Sequence, residues 1–131
     1  MIVLDTHVLV WWLDNPRRLS PKAAKKINPE VKKGEILVSS ITVWELFMLA
    51  RKGRLSLKID VNDWVSMLEK LSFVRFVPVD NRIARRSVDL PGKFHEDPAD
   101  RIIVATTMET GGLLLTSDKN ILNYPNIKTV W

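Results

Sequence analysis

Five acidic residues in this 131-residue chain fall where carboxylates can do chemistry. Asp5 directly follows the apolar run Ile2-Val3-Leu4, and Asp118 closes Thr116-Ser117-Asp118 just past Leu113-Leu114-Leu115. Glu45 sits among Ile41, Val43, Trp44, Leu46, Phe47, Met48 and Leu49. Asp97 and Asp100 open a stretch that turns apolar at Ile102-Ile103-Val104-Ala105. Several carboxylates in one pocket repel one another, and removing them from water adds to the cost. A divalent cation relieves both. Oxygen-only ligands, in a chain with no cysteine, favour the hard ions Mg2+ or Mn2+ over Zn2+. Such a site activates water and stabilises in-line attack on phosphorus, so its natural substrate is a phosphodiester.

Each acid also has a structural reading. Asp5 can cap the helix that begins at Thr6, and Asp118 can cap a short segment from Lys119 to Leu122. Asp97-Pro98 is a standard helix start, with Asp97 as the cap and Asp100 three residues on. Glu45 lies in a helix that is apolar nearly all round, which is the pattern of a buried helix. A carboxylate there is protonated, paired or metal-bound, unless Glu45 marks the solvent side. Capping accounts well for Asp97. Asp100 is harder to dismiss, because the helix becomes apolar immediately after it.

The elements that must bring these acids together are legible as short apolar strands separated by helices. Strands are expected at Ile2–Leu4, Ile36–Val38, Phe73–Val79, Leu113–Thr116 and Ile127–Val130. Helices are expected at Thr6–Leu13, from Ser20-Pro21 to about Ile27, at Ile41–Arg51, from Asp60 to about Leu71, at Asn81–Val88 and from Asp97-Pro98 to Thr110. Leu55-Ser56-Leu57-Lys58-Ile59 alternates but is too short to assign. Uninterrupted apolar strands alternating with helices belong to a parallel sheet covered on both faces. In such sheets functional groups collect outside the strand carboxyl ends, where Asp5 and Asp118 fall. Glu45 and Asp100 lie near helix starts and can face the same crevice.

Composition sets the bounds. The length suits one domain over residues 1–131. With 46% hydrophobic residues, the chain has enough to bury, which excludes general disorder. The absence of cysteine excludes disulfide scaffolds, thiolate zinc sites and thiol nucleophiles. The apolar run Val8–Leu13 falls far short of the ~20 residues of a membrane span. No basic segment precedes it, so it does not read as a secretory signal, and the expected location is the cytoplasm. The net charge of +5 suits polyanionic partners without demanding them.

Four segments in order carry a family resemblance: Met1 to Leu13 with Asp5-Thr6, Ser39-Ser-Ile-Thr-Val-Trp-Glu-Leu46, His95-Glu-Asp-Pro-Ala-Asp-Arg-Ile-Ile-Val-Ala-Thr-Thr107, and Leu115-Thr-Ser-Asp118. Together they resemble the PIN-domain ribonucleases, in particular the toxin subunits of VapBC-type toxin–antitoxin pairs. The resemblance spans the chain. It implies a three-layer α/β/α sandwich on a mainly parallel, five-stranded sheet. It implies that Asp5, Glu45, Asp100 and Asp118 hold Mg2+ or Mn2+ and position the attacking water, with Asp97 as an alternative or additional ligand one helical turn from Asp100. Thr116 and Thr6 then orient a carboxylate or a bound water. The implied reaction is hydrolysis of RNA to a 3′-hydroxyl and a 5′-phosphate, with tRNA, mRNA and rRNA among family targets. An antitoxin protein and a second copy of the chain are the implied partners; no membrane is involved. His7 stands where relatives often carry Asn, and packing or a supporting hydrogen bond suits it better than ligation.

Basic residues are the candidates for gripping RNA phosphates. Arg82, Arg85 and Arg86 form a stripe on one helix, and Arg101 flanks the acidic loop with Lys93 and His95. The structural reading for the stripe is a solvated helix face, and for His95 a loop hydrogen-bond donor. Trp11 and Trp12 are adjacent and point ~100° apart on a helix, so one can enter the core while the other meets a partner. Two rivals remain. A phosphotransfer receiver needs an adjacent acid pair after the first strand, and Val3-Leu4-Asp5-Thr6 offers a single acid. A catalytically silent PIN-like module that binds RNA or protein is opposed by all four acidic positions being filled.

Overall fold

Ile2, Val3 and Leu4 are all buried, as a central parallel strand with helices on both faces requires. This is strand β1 (Ile2–Leu4), followed by β2 (Ile36–Ser39), β3 (Val74–Val77), β4 (Leu113–Leu115) and β5 (Thr129–Val130). The computed structural model describes all 131 residues. The helices are α1 (Thr6–Asp14), α2 (Pro21–Lys33), α3 (Ile41–Arg51), α4 (Val61–Glu69), α5 (Asn81–Val88), α6 (Pro98–Thr110) and α7 (Lys119–Leu122), with a 3-10 turn at Pro16–Arg18. All strand pairs are parallel. The sheet order is β3-β2-β1-β4-β5, so the winding reverses at β1, which pairs with β2 on one side and β4 on the other.

Strand side chains alternate between two cores. Ile2, Leu4, Ile36, Val38 and Leu115 enter one, with Val8 and Leu9 of α1, Ala23 and Ile27 of α2, Leu46 of α3, and Trp64 and Leu68 of α4. Val3, Leu37 and Leu114 enter the other, with Ile83 of α5, Ile103 and Val104 of α6, and Ile121 and Tyr124. Helices on both faces make the expected three-layer sandwich. Trp64 is fully buried, and its indole N–H donates to Asp14 Oδ1 at 2.9 Å. The other Asp14 oxygen accepts the Lys58 N–H at 2.9 Å, tying the irregular segment before α4 to the end of α1.

Some boundaries differ from the sequence reading. α2 continues past Ile27 to Lys33, through Pro29. Ala23 and Ile27 are buried and Val31 packs on the same core, so an i, i+4, i+8 apolar row outweighs the backbone bond that proline cannot make. Gly34 then closes the helix with φ 69°, which only glycine adopts without strain. Residues 55–59 form no strand. The largest departure is α3. It is not buried all round: only Thr42 and Leu46 are buried, while Trp44 and Phe47 are 52% and 37% exposed.

Candidate active site

The reversal of sheet order at β1 opens a crevice at the carboxyl ends of β1 and β4, where open α/β sheets bind ligands. Asp5 leaves β1 at this point, and its N–H donates to Leu115 O at 3.1 Å. It does two jobs. Oδ1 accepts the Thr6 N–H at 2.8 Å and so caps α1, while Oδ2 accepts the Thr116 hydroxyl at 2.7 Å. Thr116 is fully buried and also accepts the Asp118 N–H at 3.0 Å. One hydroxyl thus joins the acid after β1 to the acid after β4. Thr6 Oγ1 lies 3.1 Å from Thr42 Oγ1, linking α1 to the α3 helix that carries Glu45. Thr42 was missed as a site residue by sequence reasoning, although it stands within the Ser39–Leu46 segment and one turn before Glu45.

Asp97 is exposed and caps α6 by accepting the Asp100 N–H at 3.1 Å. Asp118 Oδ1 likewise caps α7 through the N–H of Asn120 at 2.8 Å. Capping and proximity to the crevice are compatible, because each cap leaves a second carboxylate oxygen. Burial pushes the Asp5 carboxyl up, and the bonds from Thr116 and Thr6 pull against it. Burial also raises Glu45; the nearby Thr6 hydroxyl lowers it and the Asp5 charge raises it again. The Asp100 carboxyl is pushed up to about 8, first by burial and then by Asp5, Asp97, Asp118 and Glu45. The other four acids singled out in the sequence thus all bear on Asp100.

The arginines do not gather there. Arg82 and Arg86 converge on Glu109, Arg82 at 3.6 Å and Arg86 in direct contact. Glu109 lies nine residues after Asp100, about 13 Å along α6 at 1.5 Å per residue, so these charges are partly neutralised and away from the acids. Arg101 corrects the expectation of a phosphate grip more sharply. Its Nε donates to Ser87 O at 2.7 Å, Nη1 to Phe94 O at 2.9 Å and His95 O at 3.1 Å, and Nη2 to Val88 O at 3.1 Å. A guanidinium has five N–H groups, and four carbonyls leave it little for a phosphate. It clamps the loop between α5 and α6. A different groove carries basic residues: His7, two residues after Asp5, lines it with Trp11, Asp14, Arg18, Arg54 and Lys58. The Arg18 guanidinium lies 4.5 Å over the Trp11 ring, and Trp131 packs on that ring at 5.5 Å.

The donor set suits a hard divalent cation. It is all carboxylate and hydroxyl oxygen, and Asp100 is raised by burial and then by four neighbouring carboxylates, a combination that a bound cation would relieve. No three acidic or histidine side chains close into a direct ligand cage. That openness fits Mg2+, which keeps several waters and takes one or two carboxylates directly.

A parallel α/β/α sandwich with carboxylates at its switch point defines a class of open α/β folds that place their functional groups outside the strand carboxyl ends. Within it, the chain belongs to the PIN-domain family, whose model matches residues 2–127. It is 38% identical over 132 residues to Ribonuclease VapC22 of Mycobacterium tuberculosis, covering 99% of this chain and 98% of that protein. The fold is similar to that of the DNA-bound VapBC from Salmonella typhimurium, with TM-score 0.70, 17% identity and coverage of 98% and 96%. It is also similar to FitAcB from Neisseria gonorrhoeae, with TM-score 0.66, 21% identity and coverage of 100% and 97%.

Proposed function

We propose that this chain is a Mg2+- or Mn2+-dependent endoribonuclease and the toxin of a toxin–antitoxin pair. What supports the reading is that burial first, and then the charges of Asp5, Asp97, Asp118 and Glu45, raise the Asp100 carboxyl to about 8. Near-full-length likeness to Ribonuclease VapC22 supports RNA as the substrate. Asp5, Glu45, Asp100 and Asp118 would hold the ion, with Asp97 at the rim. The bound ion supplies charge neutralisation and a water of lowered pKa.

The chain's own residues supply position. Thr116 fixes Asp5 Oδ2, and the Thr6–Thr42 pair fixes α1 against the helix bearing Glu45. The basic groove of Arg18, Arg54 and Lys58 offers a path for the RNA backbone. Water oxygen bonds to phosphorus as the bond from phosphorus to O3′ breaks, and a proton passes to the leaving oxygen, giving a 3′-hydroxyl and a 5′-phosphate. Exposed single-stranded stretches of tRNA, mRNA or rRNA fit an open crevice. An antitoxin and a second copy of the chain both need apolar surface, and exposed Trp44 and Phe47 on α3 provide it beside Glu45. No helix is long and apolar enough to cross a membrane, in keeping with action in the cytoplasm.

The test is cleavage of a single-stranded RNA by purified wild type and Asp5→Asn, with Mn2+ or EDTA and end-group analysis of products. Metal-dependent cutting, lost in EDTA and in the folded variant, is expected. Equal cutting by both proteins in EDTA refutes the reading. RNA binding with no cutting under any metal would favour the silent binding module.

A further inference from the structure

We propose that His95 is a positioning residue that orients the Asp100 carboxylate for metal ligation, an inference that rests on the metal-dependent reading above. The His95 Nδ1 accepts the Asp97 backbone N–H at 3.2 Å. A nitrogen that accepts carries no proton, which leaves a ring proton for Nε2. Nε2 faces Asp100 Oδ2 at 3.2 Å. It is shut off from solvent and makes no hydrogen bond to any atom. The contact with Asp100 has the length of a hydrogen bond but not its angles.

The ring is held on one face. Phe94 stacks on it with centroids 4.4 Å apart and 30° between planes, and Tyr124 packs on Phe94 at 5.0 Å. Tyr124 in turn donates its hydroxyl to Pro91 O at 2.6 Å. The Arg101 guanidinium, one residue after Asp100, holds the carbonyls of both Phe94 and His95. The segment from His95 to Arg101 therefore closes on itself. Arg101 fixes the His95 backbone, Asp97 fixes the tautomer, and the imidazole N–H directs one Asp100 oxygen. The other oxygen is left for the crevice. A supporting donor of this kind raises metal affinity by fixing the ligand before the ion arrives. The loop bond at Nδ1 runs opposite to the donor role expected of His95, because the ring accepts there; the directed contact at Nε2 is an additional role.

Two amide variants of the full chain separate the ring's nitrogens. His95→Gln places an amide N–H near the Nε2 position and keeps a donor for Asp100. His95→Asn keeps an acceptor near Nδ1 for the Asp97 N–H and has no donor that reaches Asp100. Mn2+ affinity is measured by titration calorimetry, alongside RNA-cleavage kcat and KM and the melting temperature. His95→Asn is expected to lose about tenfold or more in Mn2+ affinity, with kcat falling and the KM for RNA little changed. His95→Gln is expected to retain most of the affinity. Wild-type affinity in His95→Asn, an equal loss in both variants, or a His95→Asn chain that does not fold would each overturn the proposal. Asp100→Asn serves as the control that separates the two readings. If folded wild type itself binds no Mn2+, the metal reading fails and takes this proposal with it. If wild type binds, Asp100→Asn does not, and His95→Asn binds as wild type does, only the positioning role fails.

Discussion

Removing the charge at Asp100 should stabilise the ion-free protein, and this outcome tests the electrostatics of the whole crevice. The Asp100 carboxyl is raised from 3.8 to about 8 by burial and by four neighbouring acids. At ~1.4 kcal/mol per tenfold change in proton affinity, that rise corresponds to on the order of 5 kcal/mol for a fully enclosed site. Asp100 is partly open to water, and screening reduces the usable figure to about 1–3 kcal/mol. The direction follows from linkage. The folded-state pKa lies above the unfolded value, so between about pH 4 and pH 8 the native protein keeps a proton that the unfolded chain has released. Stability associated with this group is present at low pH and is lost as pH rises through about 8. In EDTA, Asp100→Asn should therefore unfold at a higher urea concentration than wild type at pH 8.5, and the difference should shrink toward pH 5. With excess Mn2+ the ranking should reverse, because the ion stabilises the wild type by binding the native state and the variant has lost a ligand. Urea denaturation at several pH values, with and without Mn2+, measures all of this. An Asn variant no more stable than wild type at pH 8.5 in EDTA, with the same pH slope, would refute the claim that like charges crowd Asp100.

Three other outcomes follow from particular contacts. Asp97→Asn should retain far more RNA cleavage than Asp100→Asn, because Asp97 is exposed and its Oδ1 capping bond can be made by an amide oxygen; matched turnover assays decide, and the reverse ranking would make Asp97 the principal third acid. Arg101→Ala should destabilise the fold by about 2–4 kcal/mol and expose the 89–96 loop to protease, while Arg85→Ala leaves both unchanged; limited proteolysis and thermal melts read the difference. Gly112→Ala should cost about 1–3 kcal/mol, because an added Cβ meets Val3 Cγ2 at 3.0 Å beneath the sheet, as denaturant titration would show.

The sequence by itself determined the architecture and the identity of the acids. Ile2-Val3-Leu4, Ile36-Leu37-Val38 and Leu113-Leu114-Leu115 are apolar at every position, and such strands have nowhere to go except between two helical layers. Asp5 and Asp118 follow such runs directly, so their place at strand exits is a local property, and the same holds for the caps at Ser20, Asp97 and Gly111. Partners across the fold were not legible. Glu109 draws in Arg82 and Arg86, and the loop carbonyls of Ser87, Val88, Phe94 and His95 take up Arg101, so a charge that looks available in the chain is already committed in space. Trp44 and Phe47 face outward although their helix is apolar, because α3 packs on the two cores through Ile41, Val43 and Leu46. The elevated Asp100 carboxyl and the Thr6–Thr42 contact likewise arise only once the strand order has folded distant segments into one crevice. Periodicity and capping act over a few residues and survive in the sequence as patterns; hydrogen-bond partners, desolvation and charge coupling depend on distances between remote segments, and those the tertiary structure alone decided.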